Sequence, residues 1–244
     1  MNMGITGRLP LPWGEMAYGQ RQGQGRPLLF LHGTGCAGAD WAPTLAALTE
    51  RSCLWLDFRG HGQSAVPGAP FTLDDLAQDV LALLAALELW DVWLVGHSLG
   101  GMVALAAAQR STRVAGLALL EGWTRLDVVA QAYDAATHLY GHLSAEAVAR
   151  IREQYEQTRA RFAPAQWEHF WHSVQRADAW EYLETTPLPI LEVYGALGAR
   201  PDAQAHLAIP QRPNIAWVWL QGAGHYLPHE RPEDVAAICR HWLG

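Results

Sequence analysis

The chain has 244 residues, half of them hydrophobic and only 17% charged, which describes a compact globular protein and excludes a disordered one. Its 17 Lys and Arg against 24 Asp and Glu leave a net charge of −7 without a basic run, so neither nucleic acid nor an anionic membrane surface is an expected partner. No window reaches the ~18 apolar residues of a membrane span, residues 1–11 lack a signal-like apolar stretch, and the scattered Cys36, Cys53 and Cys239 fit reduced thiols, so a cytoplasmic protein is expected.

In chain order, residues 1–26 are rich in Gly, Gln and Pro around Glu15-Met16-Ala17-Tyr18 and predict an edge hairpin. Pro27–Leu31 is the first buried strand and ends in His32-Gly33-Thr34-Gly35. A helix is expected over Pro43–Thr49. A strand Cys53–Asp57 follows, with a second Gly-rich loop, Phe58 to Ser64. Thr72 is placed to cap an amphipathic helix over Leu73–Leu89, with Asp74 and Asp75 in the first turn where the helix dipole favours them. The apolar run from Val92 predicts a buried strand, Gly101 to about Arg110 a helix, and Val114–Leu120 a strand closed by Glu121.

Alternating strands and helices of this kind argue for a parallel sheet with helices on both faces. The pattern breaks at Gly122. Residues 123–184 show no strand signal, predict three or four helices, and carry ten of the chain's aromatic residues, from Trp123 to Tyr182. The sheet pattern then resumes with Pro189–Gly195, a short helix near Asp202–Leu207, a strand Ile215–Leu220, a loop Gln221–Pro228 and a closing helix Arg231–Leu243. The expected fold class is therefore α/β: a mostly parallel central sheet of about eight strands flanked by helices, with a helical lid inserted after the sixth strand. Residues 1–121 and 186–244 would form the core and residues 122–185 the lid.

One stretch carries chemistry directly. Gly96-His97-Ser98-Leu99-Gly100 is G-x-S-x-G between a predicted strand and a predicted helix. A serine on so sharp a turn has neighbours pressed close on both sides, and glycines at 96 and 100 remove the side chains that would clash. With His32-Gly33, Asp57-Phe58-Arg59-Gly60-His61-Gly62-Gln63-Ser64 and Gly222-Ala223-Gly224-His225 in the same order along almost the whole chain, the sequence resembles the α/β-hydrolases. The resemblance implies Ser98 as nucleophile and His225, on a loop after the last strand, as its base. It implies the backbone N–H groups of Thr34 and Leu99 as oxyanion donors, and Gly33, His97, Trp123 and Leu227 around the substrate. His229 is the competing base. His32 and His61 are expected to brace their loops, and His138, His142, His169 and His172 to lie on the lid surface, with no metal.

The acid departs from the commonest family pattern. Most relatives place an Asp three residues after the glycine that ends the seventh strand, where this chain has Gly198. Glu121, directly after five apolar residues, is the expected substitute, as in certain haloalkane dehalogenases, because a buried carboxylate needs a partner and His225 would be one. Asp202 is the alternative acid, although its position after Pro201 suits a helix cap. A serine rather than an aspartate nucleophile points to acyl transfer, and an aromatic-rich lid to an apolar site. The expectation is a carboxylesterase for small apolar or aromatic esters, without cofactor, monomeric or homodimeric. A C–C bond hydrolase, a lactonase and a weakly catalytic ligand-binding protein are the alternatives. Arg125 is the one cation near enough to the lid's start to meet a substrate carboxylate.

Overall fold

The computed structural model describes residues 4–243, so the outermost residues of the expected core, 1–3 and 244, lie outside the described residues. Eight strands form one sheet: β1 (Gly7–Leu11), β2 (Gly14–Arg21), β3 (Gln24–Leu31), β4 (Arg51–Leu56), β5 (Val92–His97), β6 (Val114–Leu120), β7 (Ile190–Gly195) and β8 (Ile215–Leu220). Their spatial order is β1-β2-β4-β3-β5-β6-β7-β8. β1 and β2 form the expected edge hairpin and β2 meets β4 antiparallel; every later pairing is parallel.

The uninterrupted apolar runs have their cause in this arrangement. In β3, Leu29 and Leu31 enter the core on one face of the sheet while Leu28 and Phe30 enter the core on the other. Val92 and Leu94 of β5 oppose Trp93 and Val95 in the same way. A strand covered on both faces has no use for a polar side, so it reads as a continuous hydrophobic stretch.

The helix expected from Leu73 spans Leu73–Ala86, with Thr72 and Asp75 forming a reciprocal capping box. It stops short of Leu89 because Glu88 adopts a left-handed φ of 52°, which ends the helical hydrogen-bond ladder. The helix after β5 starts two residues earlier than expected, at Leu99, and is buried along its entire length to Ala108. The closing helix runs from Pro232 to Trp242, and the loop expected over 221–228 contains the start of a one-turn helix, Leu227–Glu230.

Between β6 and β7 the named elements are all helical: a 3-10 turn at Leu126–Val128, then helices Val129–Ala132, Ala135–His138, Ala145–Arg159, Pro164–Gln175 and Trp180–Thr185. Aromatic packing mounts this insertion on the sheet domain. Phe170 stacks on Phe71 with ring centroids 4.9 Å apart, and Phe162 meets the same ring at 5.5 Å. The Ser173 hydroxyl accepts from the Leu73 amide at 2.9 Å, tying Pro164–Gln175 to the start of Leu73–Ala86. Helix Ala145–Arg159 reaches the loops after β3 and β4: Gln154 Nε2 donates to Asp40 at 2.9 Å, and Arg161, just beyond the helix, donates to the carbonyls of Gly62 and Ser64, each at 2.8 Å. Phe170 is fully buried, so Phe170→Ala should cost about 3–5 kcal/mol through lost burial and an unfilled cavity. Urea denaturation should show this as a lower midpoint with unchanged slope.

Candidate active site

The site grows out of the carboxyl edge of the parallel strands. The chain leaves β3 outward to β4 and returns to pair β5 on the other side of β3, so the loops after β3 and β5 part at this point and open a crevice. Leu31 of β3 is in register with Gly96 of β5, and His97 with Leu120 of β6. The residues that follow, His32-Gly33-Thr34, Ser98 and Glu121, therefore emerge side by side.

Ser98 sits at φ 53°, ψ −119°, a strained conformation for a residue with a side chain, immediately before helix Leu99–Ala108. The turn is possible because a Cβ at Gly96 would stand 2.4 Å from the Gly100 carbonyl oxygen, and one at Gly100 would stand 2.2 Å from that of Leu31. The serine is half-buried, and its Oγ lies 3.2 Å from His225 Nε2. Leu99 opens the helix, where a first-turn N–H has no intrahelical acceptor, and half-buried Thr34 follows Gly33 beside Ser98.

His225 is held from several sides. Its amide donates to the His138 carbonyl at 2.9 Å, and its carbonyl accepts from His97 Nε2 at 2.9 Å. The Trp123 indole stacks on its imidazole, centroids 4.9 Å apart and 21° from parallel. Glu230 receives the flanking amides of Gly224 at 2.9 Å and Tyr226 at 3.1 Å, shaping the loop.

Glu121 is fully buried and itself adopts a left-handed φ of 54°. Its Oε1 accepts from the Gly195 amide at 2.7 Å. Its Oε2 lies 3.6 Å from His225 Nδ1, an ion-pair separation beyond hydrogen-bonding reach, and 3.0 Å from His138 Nε2. The other ring nitrogen of His138 faces the Leu197 carbonyl at 2.8 Å. With an acceptor opposite each nitrogen, His138 donates twice and is an imidazolium. Burial acts to lower its pKa, but the bond to Glu121 outweighs this and raises it. Burial likewise acts to raise the Glu121 carboxyl, and the His138 bond with both nearby imidazoles holds it below the usual range.

His138 is thus a correction to the expected lid surface: it is buried, its ring stacked on Tyr133 with centroids 3.6 Å apart. His142, His169 and His172 are exposed. Nothing in the local spacing distinguishes His138 from these, because its partners come from β6 and from the loop after β7. Gly198, where relatives carry the acid, has φ 73°, and a Cβ there would stand 2.9 Å from the His138 amide nitrogen. The segment bearing His138 occupies the space an Asp at 198 would need.

Other expectations fall elsewhere in the fold. Leu227 is fully buried in the core with Trp41, Leu45 and Val235, where packing rather than the substrate claims it. His97 is a buried brace under His225, and burial pushes its pKa far down, which keeps it neutral. Gly33 is buried against His97 and Ser98. Asp202 is exposed and takes His206 Nε2 at 2.9 Å. His229 Nε2 approaches Asp40 at 3.9 Å, and Arg125 is engaged by Asp127 and Asp178 at the surface. His32 braces its loop as expected: Nδ1 donates to the Gly33 carbonyl at 2.8 Å and Nε2 accepts from the Phe58 amide at 3.0 Å. His61 braces its loop through one ring nitrogen, Nδ1 donating to the Arg59 carbonyl at 3.1 Å.

With this geometry in view, the relatives are informative. The sequence matches the alpha/beta hydrolase family over residues 28–238, and the chain belongs to that family. RutD of Caulobacter segnis, named a carbamate hydrolase, is 39% identical over 121 residues, which cover 47% of this chain and 45% of that protein. The chain is thus matched over about half the length of such curated relatives. An esterase from Thermogutta terrifontis is 25% identical with a TM-score of 0.71 over 98% of both chains. An enol-lactonase from Burkholderia xenovorans LB400 shares the fold at 24% identity, with a TM-score of 0.71 over 97% of this chain and 99% of its own.

Near Glu121 a second carboxyl, Glu192 of β7, is buried with Oε2 unpartnered, and its pKa is pushed up to about 8 chiefly by burial. The folded protein therefore holds Glu192 neutral while the unfolded chain ionises it from about pH 4.5, so stability is lost as pH rises from there to about 8. Glu192→Gln should match the parent below pH 4.5 and become progressively more stable than it up to pH 8, as read from denaturant melts across that range.

Proposed function

We propose that the chain is a serine hydrolase that cleaves carboxylic esters of small apolar or aromatic substrates through an acyl-enzyme. The observation carrying this reading is the Ser98 Oγ–His225 Nε2 separation of 3.2 Å on a strained strand-to-helix turn. Ser98 attacks the carbonyl carbon while His225 Nε2 takes its proton. The Thr34 and Leu99 amides receive the oxyanion, and Glu121 stabilises the imidazolium electrostatically. Collapse of the intermediate expels the alcohol, protonated by His225, and water repeats the sequence to release the acid.

The substrate class is supported by a cavity of about 480 Å³ lined by Leu139, Tyr140, Ile151, Arg152, Tyr155, Glu156 and Tyr226, the last adjacent in sequence to His225. Its size and aromatic walls suit a small molecule. In this reading residues 122–185 act as a lid, and the protein works in the cytoplasm as a monomer or homodimer on a small-molecule ester. Among the described residues no helix is long and apolar enough to cross a membrane.

A lactone is an internal ester open to the same attack, and the lactonase and carbamate-hydrolase relatives support including both classes among the substrates tested. A ligand-binding role with slow turnover draws on one observation, the 3.6 Å gap between Glu121 and His225.

Hydrolysis of p-nitrophenyl acetate through octanoate, a γ-lactone and a phenyl carbamate should be saturable for at least one class. In Ser98→Ala, kcat should fall by roughly 10³-fold or more. Equal rates in both proteins would refute the nucleophile, and binding without turnover would favour the ligand-binding role.

A further inference from the structure

We propose that Glu121, His138 and His225 form a binding site for a divalent transition-metal ion, whose occupation inhibits the hydrolase. The inhibition rests on the serine-hydrolase reading; the binding does not.

The donor atoms are Glu121 Oε2, His138 Nε2 and His225 Nδ1, all within 4.8 Å of one another and all on buried side chains. A tetrahedral ion with bonds of about 2.0–2.2 Å sets its ligand atoms about 3.3–3.6 Å apart. The carboxylate oxygen stands 3.0 Å from one imidazole nitrogen and 3.6 Å from the other, which brackets that spacing. His225 Nδ1 is buried and has no hydrogen-bond partner, so a lone pair or N–H directed at the cluster is unmatched.

The outer contacts are of the kind that fix metal ligands. The Leu197 carbonyl holds His138 Nδ1, turning Nε2 to the cluster, and the Gly195 amide holds Glu121 Oε1, turning Oε2 the same way. Two imidazoles and one carboxylate select zinc and its late first-row neighbours over magnesium or calcium, which take oxygen ligands. The ion displaces the proton that His138 shares with Glu121, and that proton leaves to buffer. Coordination through the Nδ1 lone pair places the single proton of neutral His225 on Nε2, which then has no lone pair with which to accept the Ser98 proton.

A second cluster, Cys36, Asp40 and His229, is the competing zinc site. Its geometry is less favourable because Asp40 Oδ1 stands 3.9 Å from His229 Nε2, wider than the about 3.3–3.6 Å that a tetrahedral ion sets between its ligand atoms.

Equilibrium dialysis of the whole protein against ZnCl2, with MgCl2 as control, should show one zinc and no magnesium bound per chain. His138→Gln should weaken zinc binding by at least about tenfold, since loss of outer-shell contacts alone costs 10–100-fold. His229→Ala should leave it unchanged. X-ray absorption of the zinc-loaded parent, which needs no variant to fold, should show nitrogen and oxygen ligands at about 2.0–2.1 Å and no sulfur at about 2.3 Å. Zinc should suppress ester hydrolysis over the concentrations at which it binds. Sulfur in the absorption spectrum, binding insensitive to His138→Gln, or no stoichiometric binding would overturn the site. Binding at this site with full activity would overturn the inhibition. Absence of turnover even without zinc would refute the hydrolase reading instead, with dialysis still deciding the site.

Discussion

A buried carboxylate that must be matched organises this molecule. Glu121 is removed from water at the end of a central strand, where an unpaired charge would cost several kcal/mol. The match is assembled from three separate parts of the chain: the Gly195 amide at the end of β7, His138 from the helical insertion and His225 from the loop after β8. None of the three is near Glu121 in sequence. The insertion is therefore tied to the sheet domain electrostatically at the site as well as by the Phe71–Phe162–Phe170 packing farther out.

Parallel pairing turns this local demand into a site. Because β3, β5, β6, β7 and β8 all run the same way, each delivers its following loop to one edge of the sheet. Ser98 and His225, 127 positions apart, meet there, beside the point where the strand order reverses about β3. Strain is concentrated at the same edge. Ser98 and Glu121 both hold left-handed backbone conformations, each costing about 1–3 kcal/mol, and both are over-determined by the strands and hydrogen bonds around them.

Much of this was legible in the chain because it is local or periodic. The apolar runs of β3 and β5, the Thr72–Asp75 box and the G-x-S-x-G turn each carry their cause within a few residues, and the order of loops pointed to the two residues, Ser98 and His225, that the fold brings together. Long-range contacts were not legible in this way. His138 looks like His142 or His169 until the fold brings Leu197 and Glu121 to its two nitrogens. Leu227, near His225 in sequence, turns into the core because its one-turn helix packs on Trp41 and Val235. The lid aromatics read as a cavity lining, yet Phe162 and Phe170 are the anchors that hold the insertion down.

The missing aspartate at 198 and the buried histidine at 138 are two sides of one substitution. Gly198 accepts a left-handed φ and lets the His138 backbone approach more closely than any side chain would permit. That approach carries the His138 imidazole to Glu121, so the carboxylate proposed as the acid, at the end of β6, is already paired. Its negative charge is shared between two imidazoles, and the one nearer to it is not the one that touches Ser98. In the proposed mechanism, the cation formed when His225 takes the serine proton meets a carboxylate partly neutralised by His138, so its stabilisation is weaker than a dedicated acid would supply. The geometry thus exchanges some support for the base for a firmer seat for the insertion, a balance set by the single buried carboxylate that both functions use.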